Sequence, residues 1–421
     1  MNIINSIEYL TTTDLGIELL QVSCGMRAAL TCVPSDKEWN NIYRFAKEQS
    51  ILGVLFGGVE QLPVEQRPNR DLLMDWFGKV VCLKIQNELL DKTCMDVCKM
   101  FHENGFNSCI LKGQGNNRMY QSGGSKIPSA LIRTPGDIDI WVWPQIGSNQ
   151  KMQGKMGRVS YMVDSMPSLD ERRVMIYNFC RDTIKGYDAR KEGKLHTSFS
   201  LDDGIIVEVH CTPSMMNSKT HDKKLQLWFE SYINTSLQKR SQDFENFPTP
   251  TLEFNLVYQI HHMYRHYLFE GIGLKQVIDY YMLLKNLEAL DARVRNLVTK
   301  QVVRTFEELG IDKFASAMMW VLSDCLGVNR NIILCKPNAK LGKHLWRTIL
   351  EGGNFGHNWG SIAHDDWRHP IRRIKRYVKR NGQLLFLYPE EVIWHAARRL
   401  KESVIGKAYI HIDDACGNQF D

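Results

Sequence analysis

Two carboxylates, Asp137 and Asp139, stand two residues apart in Arg133-Thr-Pro-Gly136-Asp137-Ile-Asp139-Ile-Trp-Val142, directly after a Pro-Gly turn signal. Side chains alternate across a strand, so Asp137, Asp139 and Trp141 share one face while Ile138, Ile140 and Val142 bury the other. Neighbouring acids repel, and a cation between them relieves the repulsion. A pair of hard oxygen donors is what Mg²⁺ or Mn²⁺ carried on nucleotide phosphates requires. The same pair also occurs at solvated strand ends, so its company in the sequence decides between the two readings.

Upstream lies Cys109-Ile-Leu-Lys112-Gly113-Gln-Gly115, an apolar run that ends in a lysine and two glycines. Glycine lets backbone N–H groups approach a phosphate, and lysine supplies a mobile positive charge. Downstream, Ile205-Ile-Val-Glu208-Val-His210 puts Glu208 on the face opposite Val207 and Val209. The segment before it, His196-Thr-Ser198-Phe-Ser200-Leu followed by Asp202-Asp203-Gly204, predicts a hairpin with Gly204 at a positive φ. Matching the apolar faces requires Phe199 and Leu201 to lie on the side of Val207 and Val209. That favours a three-residue loop, with Ser198 facing Glu208 and His196 facing His210. The two histidines either contact phosphate or substrate, or orient the carboxylate.

The run Leu-Lys112-Gly113, then Tyr120, Arg133, Gly136-Asp137-Ile-Asp139-Ile-Trp-Val and Val-Glu208-Val-His210 resembles the uncharacterised nucleotidyltransferase family found in bacteria, a branch of the DNA polymerase β-like nucleotidyltransferase superfamily. The resemblance is strongest over residues 105–142 and 195–213. It implies that Gly113 is the phosphate-loop glycine, that Asp137 and Asp139 are the metal-binding pair, and that Glu208 is the third carboxylate, together holding two Mg²⁺ or Mn²⁺ ions. Lys112, Arg133 and Gly136 join Gly113 as the implied nucleotide-binding residues. Gln114 follows Gly113 where the superfamily commonly has Gly-Ser or Gly-Gly, and the gap to the acids is longer than usual. Gly271-Ile-Gly273-Leu-Lys275 with Asp279, and Gly352-Gly-Asn-Phe-Gly356, are weaker echoes that extend the resemblance toward the C-terminus.

The implied reaction moves a nucleoside monophosphate from a nucleoside triphosphate to an acceptor hydroxyl, and pyrophosphate leaves. The base is Glu208 or Asp139, and the acceptor is open among sugar, small metabolite, peptide, protein and RNA. Two rival readings stand beside it: a non-catalytic nucleotide-binding or interaction protein that kept the fold, and a metal-dependent phosphohydrolase in which water replaces the acceptor.

The expected fold class is α+β, a small mixed sheet carrying the acids between helical regions, with residues 1–104 helical, 105–250 the catalytic core and 251–421 a C-terminal helical domain. Ser35-Asp-Lys-Glu38 predicts a capping box that opens a helix through Trp39, Ile42, Tyr43 and Ala46. Asp71 to Glu103 predicts a long amphipathic helix stopped at Asn104-Gly105, and Leu169 to Lys185 a further one. The polar, glycine-rich stretch from Gln145 to Arg158 reads as a surface loop. Leu274, Val277, Ile278, Tyr281 and Leu284 form an apolar helical stripe.

In the helix after Pro250, His262 and His266 have the i, i+4 spacing that can bind zinc, but no third ligand follows. The histidines either play a structural or capping role or, with Arg265, share a face turned toward the cleft, where they would touch substrate or phosphate. Arg368 to Arg380 carries seven basic residues and no acid, with Ile371, Ile374 and Val378 at helical spacing. This amphipathic stretch is either a solvated face or a surface for a polyanionic acceptor or a membrane.

The formal charge of +6 is small for 421 residues and implies no global pull on nucleic acid. Eleven cysteines, an odd number with no CxxC pair, fit reduced thiols in a cytoplasm. No stretch approaches the roughly 18 apolar residues of a membrane span, and no secretory leader pattern opens the chain.

Overall fold

The computed structural model describes residues 14–122, 131–147, 149–154, 157–162, 165–185, 187, 192–193, 195–201, 204–233, 246–354, 382, 384–395 and 397. The basic stretch 368–380 and Gly356 lie outside the described residues. The chain divides into two compact units, Met1–Ser214 with Trp228–Trp359, and Met215–Leu227 with Gly360–Asp421. Among the described residues no helix is long and apolar enough to cross a membrane.

The first unit opens with helices. Ser35 caps α1 (Asp36–Glu48) through a capping box with Glu38, and Trp39, Ile42, Tyr43 and Ala46 are buried, as the spacing requires. After α2 (Leu52–Gln61), Asn69 caps the 34-residue α3 (Arg70–Glu103), which ends at Asn104. Ser168 opens α5 (Leu169–Thr183) with a second capping box to Glu171. In each case the oxygen side chain takes an N–H that the first helical turn leaves without a backbone partner.

Between these helices lies a four-stranded mixed sheet in the order β1 (Phe106–Ile110), β2 (Ile138–Pro144), β6 (Ile206–His210), β5 (His196–Ser200). β1 pairs antiparallel with β2, β2 parallel with β6, and β6 antiparallel with β5. The β5–β6 hairpin has the expected register, Ser198 opposite Glu208 and His196 opposite His210. Leu201 N–H donates to the Ile205 carbonyl at 2.9 Å and Gly204 has φ 82°, which closes the three-residue loop.

β2 is buried along its whole length. Ile138, Ile140 and Val142 join Phe101 of α3, Phe179 of α5, Phe199 and Val207 in one core. The other face is buried as well. There Trp141 stacks on Phe254 of α7 (Leu252–Phe269) at 5.9 Å and meets Phe229 edge-on. A central strand covered on both sides explains the nearly continuous apolar run of β2, and its one acid, Asp139, is buried with paired oxygens. Helices α8 (Leu274–Glu288), α9 (Ala292–Leu309), α10 (Asp312–Trp320) and α11 (Ala339–Gly352) complete the unit, and the α8 stripe of Leu274, Val277, Ile278, Tyr281 and Leu284 is buried.

The stretch read as a loop from Gln145 to Arg158 is different. Asn149–Gly154 (β3) and Gly157–Met162 (β4) pair antiparallel, with Met152 opposite Val159 and Gly154 opposite Gly157. Polarity reports where side chains prefer to be, whereas a hairpin is held by backbone groups that polarity does not register.

In the second unit the buried Glu391 carboxylate accepts the backbone N–H groups of Asn217 and Ser218 at 2.9 and 3.2 Å, and the Ser218 hydroxyl donates to Glu390 at 2.5 Å. These bonds satisfy orphan donors just before the helix α6 (Lys219–Tyr232).

Candidate active site

The parallel pairing of β2 and β6 sets Asp139 directly beside Glu208 and Trp141 beside His210. Carboxylates far apart in the chain thus become neighbours on one face of the sheet. Between β1 and α4 (Gln114–Ser122), Lys112-Gly113 forms the turn, and Asn116 N–H donates to the Gly113 carbonyl at 3.1 Å. Gly113 has φ 63°, and a Cβ there would sit 3.1 Å from the Asp137 carbonyl oxygen. The turn therefore needs glycine twice over, for its left-handed backbone and for its close approach to the acid strand.

The two aspartates have opposite environments. Asp139 is buried, with Lys112 Nζ 2.7 Å from its Oδ2 and His210 Nε2 3.1 Å from its Oδ1. Burial alone would raise its pKa, but these two partners outweigh burial and hold the carboxyl well below the usual carboxylate range. Asp137 is exposed and has no hydrogen bond or ion pair among the described residues. Partial burial, then the charges of Glu208 and Asp139, raise its pKa.

Glu208 continues the cluster. Its Oε2 lies 3.5 Å from His210 Nε2 and its Oε1 3.9 Å from His196 Nε2. The bond to His210 outweighs burial and lowers the Glu208 pKa. His210 is buried, yet the Asp139 and Glu208 carboxylates raise its pKa. His196 moves down instead, by burial and by the charge of His210. One donor atom each from His196, Glu208 and His210 lies within 4.8 Å of the others, close enough to hold one ion.

Arg133, which the resemblance places among the nucleotide-binding residues, pairs here with an acid of a later helix. Its Nε and Nη2 donate to the two oxygens of Asp279 on α8 at 2.8 and 2.9 Å, and Nη1 donates to the Thr134 carbonyl at 3.2 Å. The Tyr120 hydroxyl donates to the same Asp279 at 2.6 Å, and the Arg133 carbonyl accepts from Asn87 of α3 at 2.9 Å. This buried network fixes the backbone that leads into Gly136-Asp137.

The nearby cation is Lys275. Its Nζ donates to the Pro135 carbonyl at 3.3 Å and lies 3.6 Å from where a Gly136 Cβ would be. Burial and the charge of Arg133 bring its pKa down to about 7. Reading residues one motif at a time left Lys275 and Asp279 outside the site. The signal that finds them is the Gly271-Ile-Gly273-Leu-Lys275 segment with Asp279, which α8 delivers to the turn before the acids.

α7 crosses the acid-bearing face of the sheet. Phe254 stacks on Trp141; one turn on, Tyr258 is buried with a hydroxyl that has no hydrogen-bond partner among the described residues. Burial and the charges of Asp139 and Glu208 raise the Tyr258 pKa. A further turn brings His262, whose Nε2 is 3.1 Å from His266 Nε2, and His266 Nδ1 is 2.6 Å from Glu270 Oε2. Arg265 is half-buried on the same helix.

The chain belongs to the uncharacterised nucleotidyltransferase family, whose sequence model matches residues 35–327. The match takes in the helices α1 to α3, the whole four-stranded sheet, and α7 and α8. Searches of the curated proteins and of the solved structures gave no match.

Proposed function

We propose that this chain is a metal-dependent transferase that moves a nucleoside monophosphate from a nucleoside triphosphate to an acceptor hydroxyl and releases pyrophosphate. The observation that carries the reading is the lateral pairing of Asp139 with Glu208, with the Gly113 turn packed against the Asp137 backbone. Phosphate-cradling backbone and clustered carboxylates then meet at one end of the sheet.

The donor set fits a divalent cation: an Asp137 carboxylate with no partner among the described residues, Glu208, and the imidazoles of His196 and His210. Asp137, Asp139 and Glu208 are the proposed ligands of two such ions, Mg²⁺ or Mn²⁺. Bound there, they would offset charge on the entering and leaving oxygens at phosphorus.

The protein's own groups do the rest. The backbone at Gly113 approaches the triphosphate, and Lys112 and Lys275 supply its positive charge. His210 steadies Asp139 and Glu208 against each other. Arg133 gives two donors to Asp279 and one to the Thr134 carbonyl, so in this reading it holds the segment before Gly136-Asp137 rather than the nucleotide. His262, Arg265 and His266 form the opposite wall, facing the acceptor. The ten described cysteines are all free thiols, which supports a reducing, cytoplasmic setting.

Incubation with each α-labelled nucleoside triphosphate, Mg²⁺ or Mn²⁺ and a cell extract tests the assignment. A labelled adduct is expected. Free labelled monophosphate would make the chain a phosphohydrolase, and bound but unchanged triphosphate would make it a non-catalytic nucleotide-binding protein.

A further inference from the structure

The carboxylates of the sheet are poorly placed to take a proton from an acceptor. Both oxygens of Asp139 are engaged, one by Lys112 and one by His210, and Glu208 has histidines within 3.5 and 3.9 Å. Carboxylate oxygens committed to such contacts have less freedom to turn toward an acceptor hydroxyl. A different set of side chains lies on α7 across the same face.

His262 and His266 lie one turn apart on α7, and Glu270, the residue that caps its C-terminus, follows His266 by four positions on the same side. The 2.6 Å contact between Glu270 Oε2 and His266 Nδ1 requires a proton on Nδ1. In the neutral ring His266 Nε2 then carries a lone pair and accepts the Nε2–H of His262 at 3.1 Å. That leaves His262 Nδ1 as an acceptor, and it makes no hydrogen bond among the described residues. The carboxylate thus sets both tautomers in sequence.

The direction of this chain of groups follows from the packing of α7. Phe254 lies on Trp141, Tyr258 follows one turn later in the field of Asp139 and Glu208, and His262 follows after another turn of about 5.4 Å. The unpartnered, buried Tyr258 hydroxyl marks the same wall as one that faces a polar ligand. Burial, the largest influence on it, lowers the His262 pKa and favours its neutral ring.

We propose that Glu270, His266 and His262 form a proton relay whose His262 end is the general base for the acceptor hydroxyl. The inference rests on the nucleotidyl-transfer reading above. The acceptor oxygen forms its bond to the α-phosphorus while its proton passes to His262 Nδ1. The His262 Nε2 proton passes to His266 Nε2, and the His266 Nδ1 proton to the Glu270 carboxylate. The bond from the α-phosphorus to the bridging oxygen breaks, and pyrophosphate leaves with that electron pair. The relay removes the positive charge that a lone buried imidazole beside Lys112 would otherwise hold.

The test uses the full chain, α-labelled triphosphate, Mg²⁺ and cell extract, with triphosphate affinity measured separately by filter binding. His262→Ala is expected to slow adduct formation by about 10²- to 10³-fold, the size of a lost general base, with affinity changed less than about twofold. Added 4-methylimidazole should restore at least about tenfold of that loss. His262→Gln keeps the volume and a hydrogen bond to His266, so it should be as slow as the alanine variant. Glu270→Gln should slow transfer, and ¹⁵N spectra of the imidazoles should show the His266 Nδ1 proton redistributed. Full activity in His262→Gln, or a loss in folded His262→Ala that no imidazole restores, overturns the relay while nucleotidyl transfer stands. A wild-type chain that forms no adduct with any of the four triphosphates overturns the transfer reading and the relay with it.

Discussion

Lys112 Nζ lies 2.7 Å from Asp139 Oδ2, while Asp137, two residues earlier on the same face, has no ion pair among the described residues. Two acids that look equivalent in the sequence therefore make opposite contributions to stability. The Asp137 pKa is raised, so its charge costs stability at neutral pH, and that cost is relieved as pH falls through the folded value. The Asp139 pKa is lowered, so its contribution is present above the unfolded value near 3.8 and is lost as pH falls through the folded one. Asp137→Asn should raise Tm by about 1 to 3 °C. Asp139→Asn should lower Tm, because it leaves Lys112 and His210 without their carboxylate. Both should abolish transfer, and calorimetric scans at pH 7 check the two signs.

The Arg133–Asp279 pair ties the segment before the acid strand to α8 through two hydrogen bonds. Asp279→Asn should destabilise the protein by about 3 to 5 kcal/mol in urea unfolding, since it strands a buried guanidinium. Replacing both residues with apolar groups of similar volume should cost much less than that single change. A double variant as unstable as Asp279→Asn would contradict the account.

Lys275 carries a distinct pH signature. Its pKa is down to about 7 from 10.5, so the unfolded chain binds more protons than the folded one between those values, and stability rises with pH across that window. Triphosphate beside the ammonium reverses the preference. Nucleotide binding at pH 8 should therefore take up roughly half to one proton, read by titration calorimetry in buffers of different ionisation enthalpy. Lys275→Met should abolish the uptake.

Lys112→Ala should weaken binding of a nucleoside triphosphate more than that of its nucleoside, by about 1.5 to 3 kcal/mol, the worth of a charge-assisted hydrogen bond. Equal losses for both ligands would point to the broken contact with Asp139 instead. Filter binding at two salt concentrations separates these outcomes.

Local rules reached much of this architecture. Ser35 and Glu38, Asn104-Gly105, and the alternation that sets Ser198 against Glu208 are short-range signals, and each has its counterpart in the structure. The paired acids, the glycine turn and the third acid were legible as residue types in order. What periodicity could not reveal was partnership across the fold: that Arg133 pairs with Asp279 and that Lys275 lies beside Gly136. Those contacts join segments whose separation in the chain carries no pattern, and they depend on how α7 and α8 pack on the sheet. The β3–β4 hairpin was missed for the reason its composition gives, since polar side chains conceal a backbone ladder.

Arg133 and Asp279 are 146 positions apart. On a ribosome adding roughly 5 to 20 residues each second, the arginine emerges on the order of 10 s before its carboxylate exists. Until then the segment that leads to Asp137 is tied through the Arg133 carbonyl to Asn87, but the Arg133 guanidinium has no carboxylate and cannot be buried at low cost. The Arg133–Asp279 link at the acid-bearing end therefore forms only after α8 (Leu274–Glu288) has left the ribosome. A chain that stalls or is cut before α8 would present an acid strand whose leading segment keeps its tie to Asn87 but leaves the Arg133 guanidinium unpaired, which makes the arrival of Asp279 a checkpoint on the closing of that end.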